Sequence, residues 1–366
     1  MRIKSVRLGK ILGIDIELHY TWFLIFALLA WALSAGFFPH YYPDLTKTEY
    51  WIIGSAASIL LFVSVLLHEL THSFVALRNR ISVKKITLFF FGGVAQISDE
   101  NITPSKEFKM AIAGPLMSLL LAAVFYLVTR YSAYLYISAI AFYLTRLNLI
   151  LAIFNLVPGY PLDGGRALRA FLWGYYKDIK KATKYAASGG KIFGIILATV
   201  GILGMFLGLG TIWFVLIGIF IYFLAGMGYE QVVIKDVLSK IKVKQVMVKD
   251  FISVKPSTTI AKLFSNYFLR YSQDVFPVVE KNRLLGIVTA ESINMVPKRK
   301  WMTITAEHIL TPLKAAAKED DNAYKTLMRM SSQKIGLLPI IKNKRLKGIV
   351  SIPSLLRCVR LKVEVD

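Results

Sequence analysis

The chain has 366 residues, of which 55% are hydrophobic, and this composition excludes an ordinary soluble protein. A formal net charge of +23 would suit nucleic-acid binding, but the basic residues cluster between long apolar runs. Membrane proteins show this distribution because positive loops stay in the cytoplasm, so we expect a lipid bilayer and no nucleic acid as partner. The single cysteine, Cys358, excludes an internal disulfide and a cysteine-based metal site.

The first twenty residues are basic and half polar, and nothing in them predicts a removable signal peptide. Six apolar runs follow, each long enough to cross a bilayer: Tyr20–Phe37, Trp51–Leu77, Phe108–Val128, Ala133–Val157, Lys191–Leu207 and Thr211–Tyr229. The basic loops are the N-terminus and the segments after the second and fourth runs, whereas the alternate loops carry little charge. We therefore predict a multi-pass protein of the cell membrane with both termini in the cytoplasm.

The second apolar run contains the sequence HELTH. His68 and His72 are four residues apart, so on a helix they share one face and can bind one metal ion. Glu69 lies beside that ion without binding it, where a general base for a water molecule belongs. The alternative is that both histidines are hydrogen-bonded core residues. Glu69 would then lie in a membrane helix without an evident partner, and its insertion into the bilayer would cost about 2.5–3.5 kcal/mol.

The fourth run ends in NLVPGYPLDGGR, residues 155–166. Because this run also ends on the cytoplasmic side, Asp163 is expected at a depth similar to that of the histidines. Zinc needs a third protein ligand and an open position, which predicts one zinc ion per chain bound by His68, His72 and Asp163. Gly164 and Gly165 are expected to form a tight turn in a loop. The alternative is a capping aspartate in an ordinary cytoplasmic loop.

Together these residues resemble the site-2 protease family of intramembrane zinc metalloproteases. The resemblance covers HELTH at 68–72, FFFGGVAQ at 89–96, AGP at 113–115 and NLVPGYPLDGG at 155–165. It implies hydrolysis of a peptide bond within or near a substrate's transmembrane helix, with Glu69 as the base. It also implies that the Asn155 amide donates to the developing oxyanion. A structural amide that satisfies carbonyls of a broken helix is the alternative for Asn155.

The segment 81–98 is too short to span a bilayer, and its pattern predicts strands and a turn, with Gly92 and Gly93 at the turn. The resemblance implies a small membrane-associated β-sheet near the active site. An extended peptide held at its edge would bind beside Gly92 and Gly93. An amphipathic surface hairpin is the alternative. Inside the fourth run, Asn148 suits either a water path to the metal or a hydrogen bond between helices.

The C-terminal region contains a repeat, in which residues 275–292 resemble residues 337–354. Pro277 and Pro339 are 62 positions apart, and so are the glycines of the two Gly-Ile-Val motifs. This region resembles a tandem pair of CBS domains, an α/β (α+β) module. The expected domains are a protease at 1–230, a linker at 231–243, a first CBS domain at 244–297 and a second at 302–360.

CBS pairs commonly bind adenine nucleotides, so the resemblance implies a nucleotide cofactor beside Thr289, Glu291 and Ser351. Glu291 replaces a preferred aspartate, and Ser354 stands where an acid is expected, which departs from the family pattern. The alternative is a CBS pair that binds no ligand. Such a pair would only fold, cover the membrane face of the protein or form a homodimer.

The sequence thus predicts a polytopic α-helical membrane protein, with six transmembrane helices and a small sheet, that acts as a zinc-dependent intramembrane endopeptidase on membrane-protein substrates. Two alternatives remain open. One is a transporter or channel regulated by its CBS pair, although no repeat relates the halves of the membrane region. The other is an inactive scaffold, which should have lost a metal ligand or the base.

Overall fold

The structure is a computed structural model that describes residues 5–89, 92–97, 102–249, 251–271, 275–281, 283–311, 316–333, 335–342 and 345–365. It forms two compact units, Met1–Tyr229 and Glu230–Asp366. Part of the predicted strand region, Phe90, Phe91 and Ser98, lies outside the described residues.

The helices that begin in the first unit are α1 (Thr21–Ala32), α2 (Phe38–Tyr41), α3 (Lys47–Arg78), α4 (Pro104–Tyr131), α5 (Leu135–Asn155), α6 (Asp163–Tyr176), α7 (Ile179–Phe206) and α8 (Ile212–Ser239). A π-helical turn, Leu33–Phe37, joins α1 to α2 into one segment. With that segment, α3, α4, α5, α7 and α8 make six helices in the described chain that are long and apolar enough to cross a membrane. The six predicted transmembrane helices are therefore confirmed.

Polar caps start these helices several residues before the apolar runs begin. The Thr103 hydroxyl accepts a hydrogen bond from the Lys106 N–H at the start of α4, where Pro104 occupies the first turn. The Asp178 carboxylate accepts from the N–H groups of Lys180 and Lys181 at 2.8 and 3.1 Å. Consequently α7 includes basic residues that the sequence assigned to a loop.

The predicted loop with a tight turn at Gly164 and Gly165 was wrong, because residues 163–176 form α6. Both glycines are helical and are required for close backbone approach. A Cβ atom on Gly164 would lie 2.2 Å from the Leu156 carbonyl oxygen, and one on Gly165 would lie 2.1 Å from the Gly159 carbonyl carbon. The helix ends at Lys177, whose φ of 57° is left-handed.

A four-stranded sheet packs on the membrane helices, with the order β1 (Ser5–Ile11), β2 (Ile14–His19), β3 (Val83–Phe89) and β4 (Gly92–Ile97). The strands β3 and β4 lie in the segment where the sequence predicted strands, but Gly92 and Gly93 begin β4 and do not form the predicted turn. The strands β1 and β2 were not predicted. The alternation of β2 buries Ile14 and Ile16, which join Ile86 against Leu70 of α3 and Met110 of α4. The β2–β3 pairing is parallel, and the other two pairings are antiparallel.

Asn148 links two transmembrane helices. Its Nδ2 donates to Ser64 Oγ of α3 at 3.3 Å and to the Leu144 carbonyl of α5 at 2.9 Å. Both Asn148 and Ser64 are buried. Of the two roles that the sequence left open, this geometry favours hydrogen bonding between helices.

The second unit contains the last turns of α8 and the elements α9 (Ile260–Leu263), β5 (Val275–Glu280), β6 (Arg283–Thr289), α10 (Ala290–Asn294), α11 (Ala323–Gln333), β7 (Leu337–Lys342), β8 (Arg345–Ser351) and α12 (Ile352–Val365). A π-helical turn, Phe264–Phe268, follows α9, and short 3₁₀ helices form at Val243–Gln245, Lys298–Lys300 and Ala306–Ile309. The α/β organisation predicted for this region is confirmed. Since α8 runs to Ser239, most of the expected linker is helical.

The sequence repeat is also a repeat of strand pairing. In the first hairpin Val275 pairs with Thr289, and in the second Leu337 pairs with Ser351, 62 positions later in each case. Each hairpin has an irregularity at the equivalent position, after Val278 and after Ile340. The segment before each hairpin pairs with a strand of the other repeat, Val248 with Ile349 and Thr311 with Ile287. The two repeats are therefore interlocked rather than merely adjacent.

Candidate metal centre

Three buried donor atoms from distant parts of the chain meet in the first unit. His68 Nε2 and His72 Nε2 are 3.1 Å apart, and Asp163 Oδ2 lies 3.2 Å from the first and 3.1 Å from the second. The regular spacing of α3 brings the two imidazoles to one face of the helix. Among the described residues these three form a group that could hold a metal ion.

The donor set fits zinc. Zinc bonds to imidazole nitrogen and carboxylate oxygen are about 2.0–2.2 Å, so neighbouring donors of a tetrahedral site are about 3.3–3.5 Å apart. The observed separations of 3.1–3.2 Å are close to that value. Two imidazoles and one carboxylate also leave a fourth position for water or substrate, as catalytic rather than structural zinc sites do.

The helix α4 orients both imidazoles. His72 Nδ1 donates to the Met110 carbonyl at 2.6 Å, which leaves the lone pair on Nε2 free to bind a metal. His68 Nδ1 is 2.8 Å from the hydroxyl of the buried Ser118. These two partners were not identified from the sequence. The only indication of Ser118 was a hydroxyl in a long apolar run.

Gly114 of α4 leaves room for the metal. A Cβ atom at this position would lie 2.1 Å from His72 Nε2 and 2.6 Å from His68 Nε2. Any side chain would therefore occupy the space in front of the two donor atoms. The sequence marked this glycine as part of the AGP motif but gave it no role.

Asp163 is the first residue of α6, and its two carboxylate oxygens have different surroundings. Oδ2 faces the imidazoles, while Oδ1 is 3.6 Å from the Arg166 guanidinium one turn later. The arginine therefore lies beside the oxygen that does not face the histidines. This geometry favours binding of a metal through a single carboxylate oxygen.

A full-length relative decides the family. A zinc metalloprotease of Methanocaldococcus jannaschii is 32% identical over 362 residues, which cover 98% of this chain and 96% of that protein. The chain belongs to peptidase family M50, the site-2 protease family. The sequence profile of that family matches residues 56–141 and 130–197, and the CBS domain profile matches residues 243–296.

A further relative agrees with this membership. A relative from Synechocystis sp. is 30% identical over 364 residues, which cover 97% of this chain and 96% of the relative. The solved site-2 protease of M. jannaschii is 35% identical, and the match covers 61% of this chain and 94% of that chain with a TM-score of 0.42. The protein is thus a multi-pass zinc metalloprotease with a C-terminal CBS region, as the sequence predicted.

Glu69 and the sheet of the protease are in contact. The glutamate is half-buried on α3, and a Cβ atom on Gly93 would lie 2.6 Å from its Cγ. Gly93 and Gly92 begin β4, the edge strand of the described sheet. The structure therefore brings the predicted base and the predicted substrate-binding strand together.

Asn155 has a different contact from the one expected. Its Nδ2 donates to the Leu151 carbonyl, one turn earlier in α5, at 3.0 Å. The role of a structural amide, left open by the sequence, is the one that this contact favours. An oxyanion role for Asn155 requires the amide to exchange this partner when substrate binds.

The three residues expected at a nucleotide lie on the second unit. The hydroxyls of Thr289 and Ser351 accept from the N–H groups of Ser292 and Ser354 at 3.1 and 3.2 Å, so both cap helices. Glu291 is exposed in the first turn of α10. The hydroxyls are therefore already engaged, and a nucleotide would have to share them.

Proposed function

We propose that the protease hydrolyses a peptide bond within or near a transmembrane segment of membrane-protein substrates. The observation that carries this proposal is the burial of the metal cluster in an apolar span, where His68 and His72 are each 3% exposed. His68 lies ten residues before the end of α3, about 15 Å at 1.5 Å per residue. A peptide bond must therefore come to this depth to be cut.

His68, His72 and Asp163 would hold the zinc ion. When bound, zinc polarises the scissile carbonyl and lowers the pKa of water. Glu69, beside His68 on α3, accepts a proton from the attacking water as the new C–O bond forms. Glu69 then donates that proton to the leaving nitrogen as the C–N bond breaks, which yields a carboxylic acid and an amine.

The edge strand β4 suits a substrate in extended form. A helical segment hides its carbonyl groups, so it must unwind before a peptide bond can be attacked. An extended peptide can add to the free edge of β4 through backbone hydrogen bonds. Because Gly93 lies against Glu69, a strand added there would run beside the base. Gly92 and Gly93 would leave the backbone accessible to it.

The proposed orientation places both ends of the chain and the CBS region in the cytoplasm of a cell-membrane protein. The support is the concentration of lysine and arginine in the segments on one side of the predicted spans. In this orientation α3 and α5 both run towards the cytoplasm, and the metal cluster lies in the cytoplasmic part of the membrane region.

The proposed mechanism is tested with the purified full-length protein in liposomes and a panel of single-span model substrates. Glu69→Gln should keep one zinc ion per chain and lose at least about 10²–10⁴-fold in cleavage rate. His68→Ala and Asp163→Ala should lose both zinc and cleavage. Cleavage by Glu69→Gln at the wild-type rate would refute the assigned base, and wild-type zinc content in Asp163→Ala would remove the third ligand. Ion flux into the same liposomes would instead support a transporter.

We also propose that residues 244–297 and 302–360 form a CBS pair that binds an adenine nucleotide and modulates proteolysis. The support is a cavity of about 460 Å³ whose lining includes Ser354, Arg357 and Lys362. Thr289, Glu291 and Ser351, where the sequence predicted the nucleotide, are not among its lining residues. This volume is in the range of about 300–1,000 Å³ typical of small-molecule sites, and its two cationic side chains suit phosphate groups. The same pair would also provide a surface for a homodimer.

The nucleotide proposal is tested by calorimetry of the full-length protein in detergent with AMP, ADP and ATP. Arg357→Ala should weaken binding at least tenfold because it removes a cation from the cavity. Arg360→Ala is the matched control, since Arg360 is exposed on the same helix and does not line the cavity. The proposal fails if none of the three nucleotides binds and none changes the rate of proteolysis.

A further inference from the structure

The aspartate of the metal cluster follows a short segment without regular structure, and neighbouring helices fix its path. Residues 156–162 connect the end of α5 to Asp163. Within this segment the Tyr160 N–H donates to the Ala186 carbonyl of α7 at 2.9 Å. Tyr160 is three residues from Asp163, so a displacement of Tyr160 moves the backbone that carries the carboxylate.

The backbone of this segment lies directly on two glycines of α7. A Cβ atom on Gly190 would lie 1.8 Å from the Tyr160 carbonyl oxygen, and one on Gly189 would lie 2.6 Å from the Pro158 carbonyl oxygen. On the opposite side, a Cβ atom on Gly165 of α6 would lie 2.1 Å from the Tyr160 nitrogen. The segment is therefore enclosed between α6 and α7 with no side chain between the backbones.

The ring of Tyr160 adds a contact to α8 and a second contact to α6. It lies against Gly228 of α8, where a Cβ atom would come within 1.9 Å of its Cε1. The Arg169 guanidinium carbon is 5.2 Å from the ring centroid, within the range of a cation–π interaction. Arg169 in turn forms an ion pair with Glu107 of α4, with Nε at 2.9 Å from Oε1.

The ion pair connects this ring to the helix that orients the histidines. Glu107 is only 3% exposed, so its charge depends on Arg169 for compensation. Glu107 precedes Met110 on α4 by three residues, and the Met110 carbonyl binds His72. The Tyr160 side chain is thus connected, through Arg169 and Glu107, to the helix that orients the two histidines.

We propose that Tyr160 is a positioning residue that fixes Asp163 relative to the two histidines and thereby sets the zinc affinity. The inference rests on the proposed role of Asp163 as a zinc ligand. A metal site tolerates displacements of its ligands of about 0.5 Å at most. Loss of the Tyr160 ring should therefore displace the Asp163 carboxylate enough to weaken metal binding, even though Tyr160 does not bind the metal. Within the described part of the chain, the contacts of Tyr160 named above use its ring and its backbone, so phenylalanine retains them.

The test measures zinc affinity by chelator competition on the purified full-length protein. Tyr160→Ala should weaken zinc binding about 10–100-fold, the usual effect of losing a group that orients a ligand. The zinc affinity of Tyr160→Phe should stay within about twofold of that of wild type. A larger loss would mean that the hydroxyl is required. In the cobalt-substituted protein, Tyr160→Ala should also shift the visible absorption bands, since the geometry around the metal changes.

A pair of glycines on α8 tests the inference without removing the tyrosine. Gly228→Ala pushes a methyl group against the ring and should weaken zinc binding. Gly226→Ala is the matched control, because its Cβ atom would meet only the flexible end of Lys191, at 3.5 Å, and zinc binding should not change. In a Tyr160→Ala background, Gly228→Ala should have no further effect, because the ring it displaces is gone.

The outcomes separate this inference from the function it rests on. If wild-type protein binds no zinc, the proposed function fails. If wild type binds zinc but Tyr160→Ala and Gly228→Ala bind it equally well, the function stands and the positioning role is wrong. The same conclusion follows if the two substitutions weaken binding additively. Should Tyr160→Ala fail to fold, the comparison of Gly228→Ala with Gly226→Ala decides the question.

Discussion

The two halves of the metal cluster are held in different ways. The histidine half lies within one regular helix, where the spacing of His68 and His72 alone places both rings on the same face. The aspartate half follows an irregular segment that glycines of α6 and α7 enclose at backbone distance. The spacing of the histidines is local to α3, whereas the position of the aspartate depends on close approach to residues of another helix. Substitutions should therefore affect the two halves unequally.

The largest effect should come from Gly165→Ala on the aspartate side. Its Cβ atom would meet backbone atoms of Gly159 and Tyr160 at 2.1 Å, and no rotation of a side chain relieves that contact. We expect a loss of about 3 kcal/mol in the free energy of unfolding. Most of the bound zinc should be lost as well. Thermal unfolding and metal analysis measure both effects.

The control for that substitution lies in the same helix. Gly174→Ala would place its Cβ atom 3.7 Å from Pro104 Cβ, an ordinary contact. It should stabilise α6 by about 0.5–1 kcal/mol, because alanine is the better helix former. If Gly165→Ala and Gly174→Ala changed the free energy of unfolding in the same direction, close backbone approach would not explain why residue 165 is a glycine.

Gly114→Ala should have the next largest effect, and it should act on the metal rather than on the fold. The new methyl group would fill the space in front of both imidazoles, so the protein should bind little zinc. The unfolding temperature of its metal-free form should stay near that of metal-free wild type. Leu116→Ala, at a residue 57% exposed on the same helix, should retain zinc. A full complement of zinc in Gly114→Ala would show that the metal binds elsewhere.

The smallest effect should come from Ser118→Ala on the histidine side. This change removes the partner of His68 Nδ1 but leaves both rings on α3, so we expect zinc affinity to fall only about 10–100-fold. Ser105→Ala, at an exposed hydroxyl in the first turn of α4, should not change the affinity. Equal affinity in both variants would mean that α3 alone orients His68.

The sequence predicted well whatever depends on neighbouring residues. Periodicity and length predicted the six spans, and the i, i+4 rule predicted that His68 and His72 share one face of a helix. The alternation in IDIELH, residues 14–19, also indicated a strand, but the first two strands were missed. The alternation was sufficient to predict a strand, but the segment was interpreted only as a basic stretch before an apolar run.

Contacts between distant residues could not be predicted from the sequence. Met110 and Ser118 lie 38 and 50 positions from the histidines that they orient. Arg169 lies 62 positions from Glu107. The glycines of the DGG motif suggested a turn because glycine favours turns, yet the structure uses them for contact between backbones. Such a choice depends on which helices become neighbours, and a single sequence does not specify that.

The parallel pairing of β2 with β3 has a consequence for biosynthesis. These strands are separated by two membrane segments, so the N-terminal hairpin has no partner until α3 has been synthesised and inserted. The strand beside Glu69 emerges from the ribosome later still, and Asp163 emerges some 90 residues after the histidine pair. A nascent chain therefore passes through the insertion machinery without a complete hydrolytic centre. If cleavage requires the proposed zinc ligands, the chain cannot hydrolyse a peptide bond before Asp163 has been made.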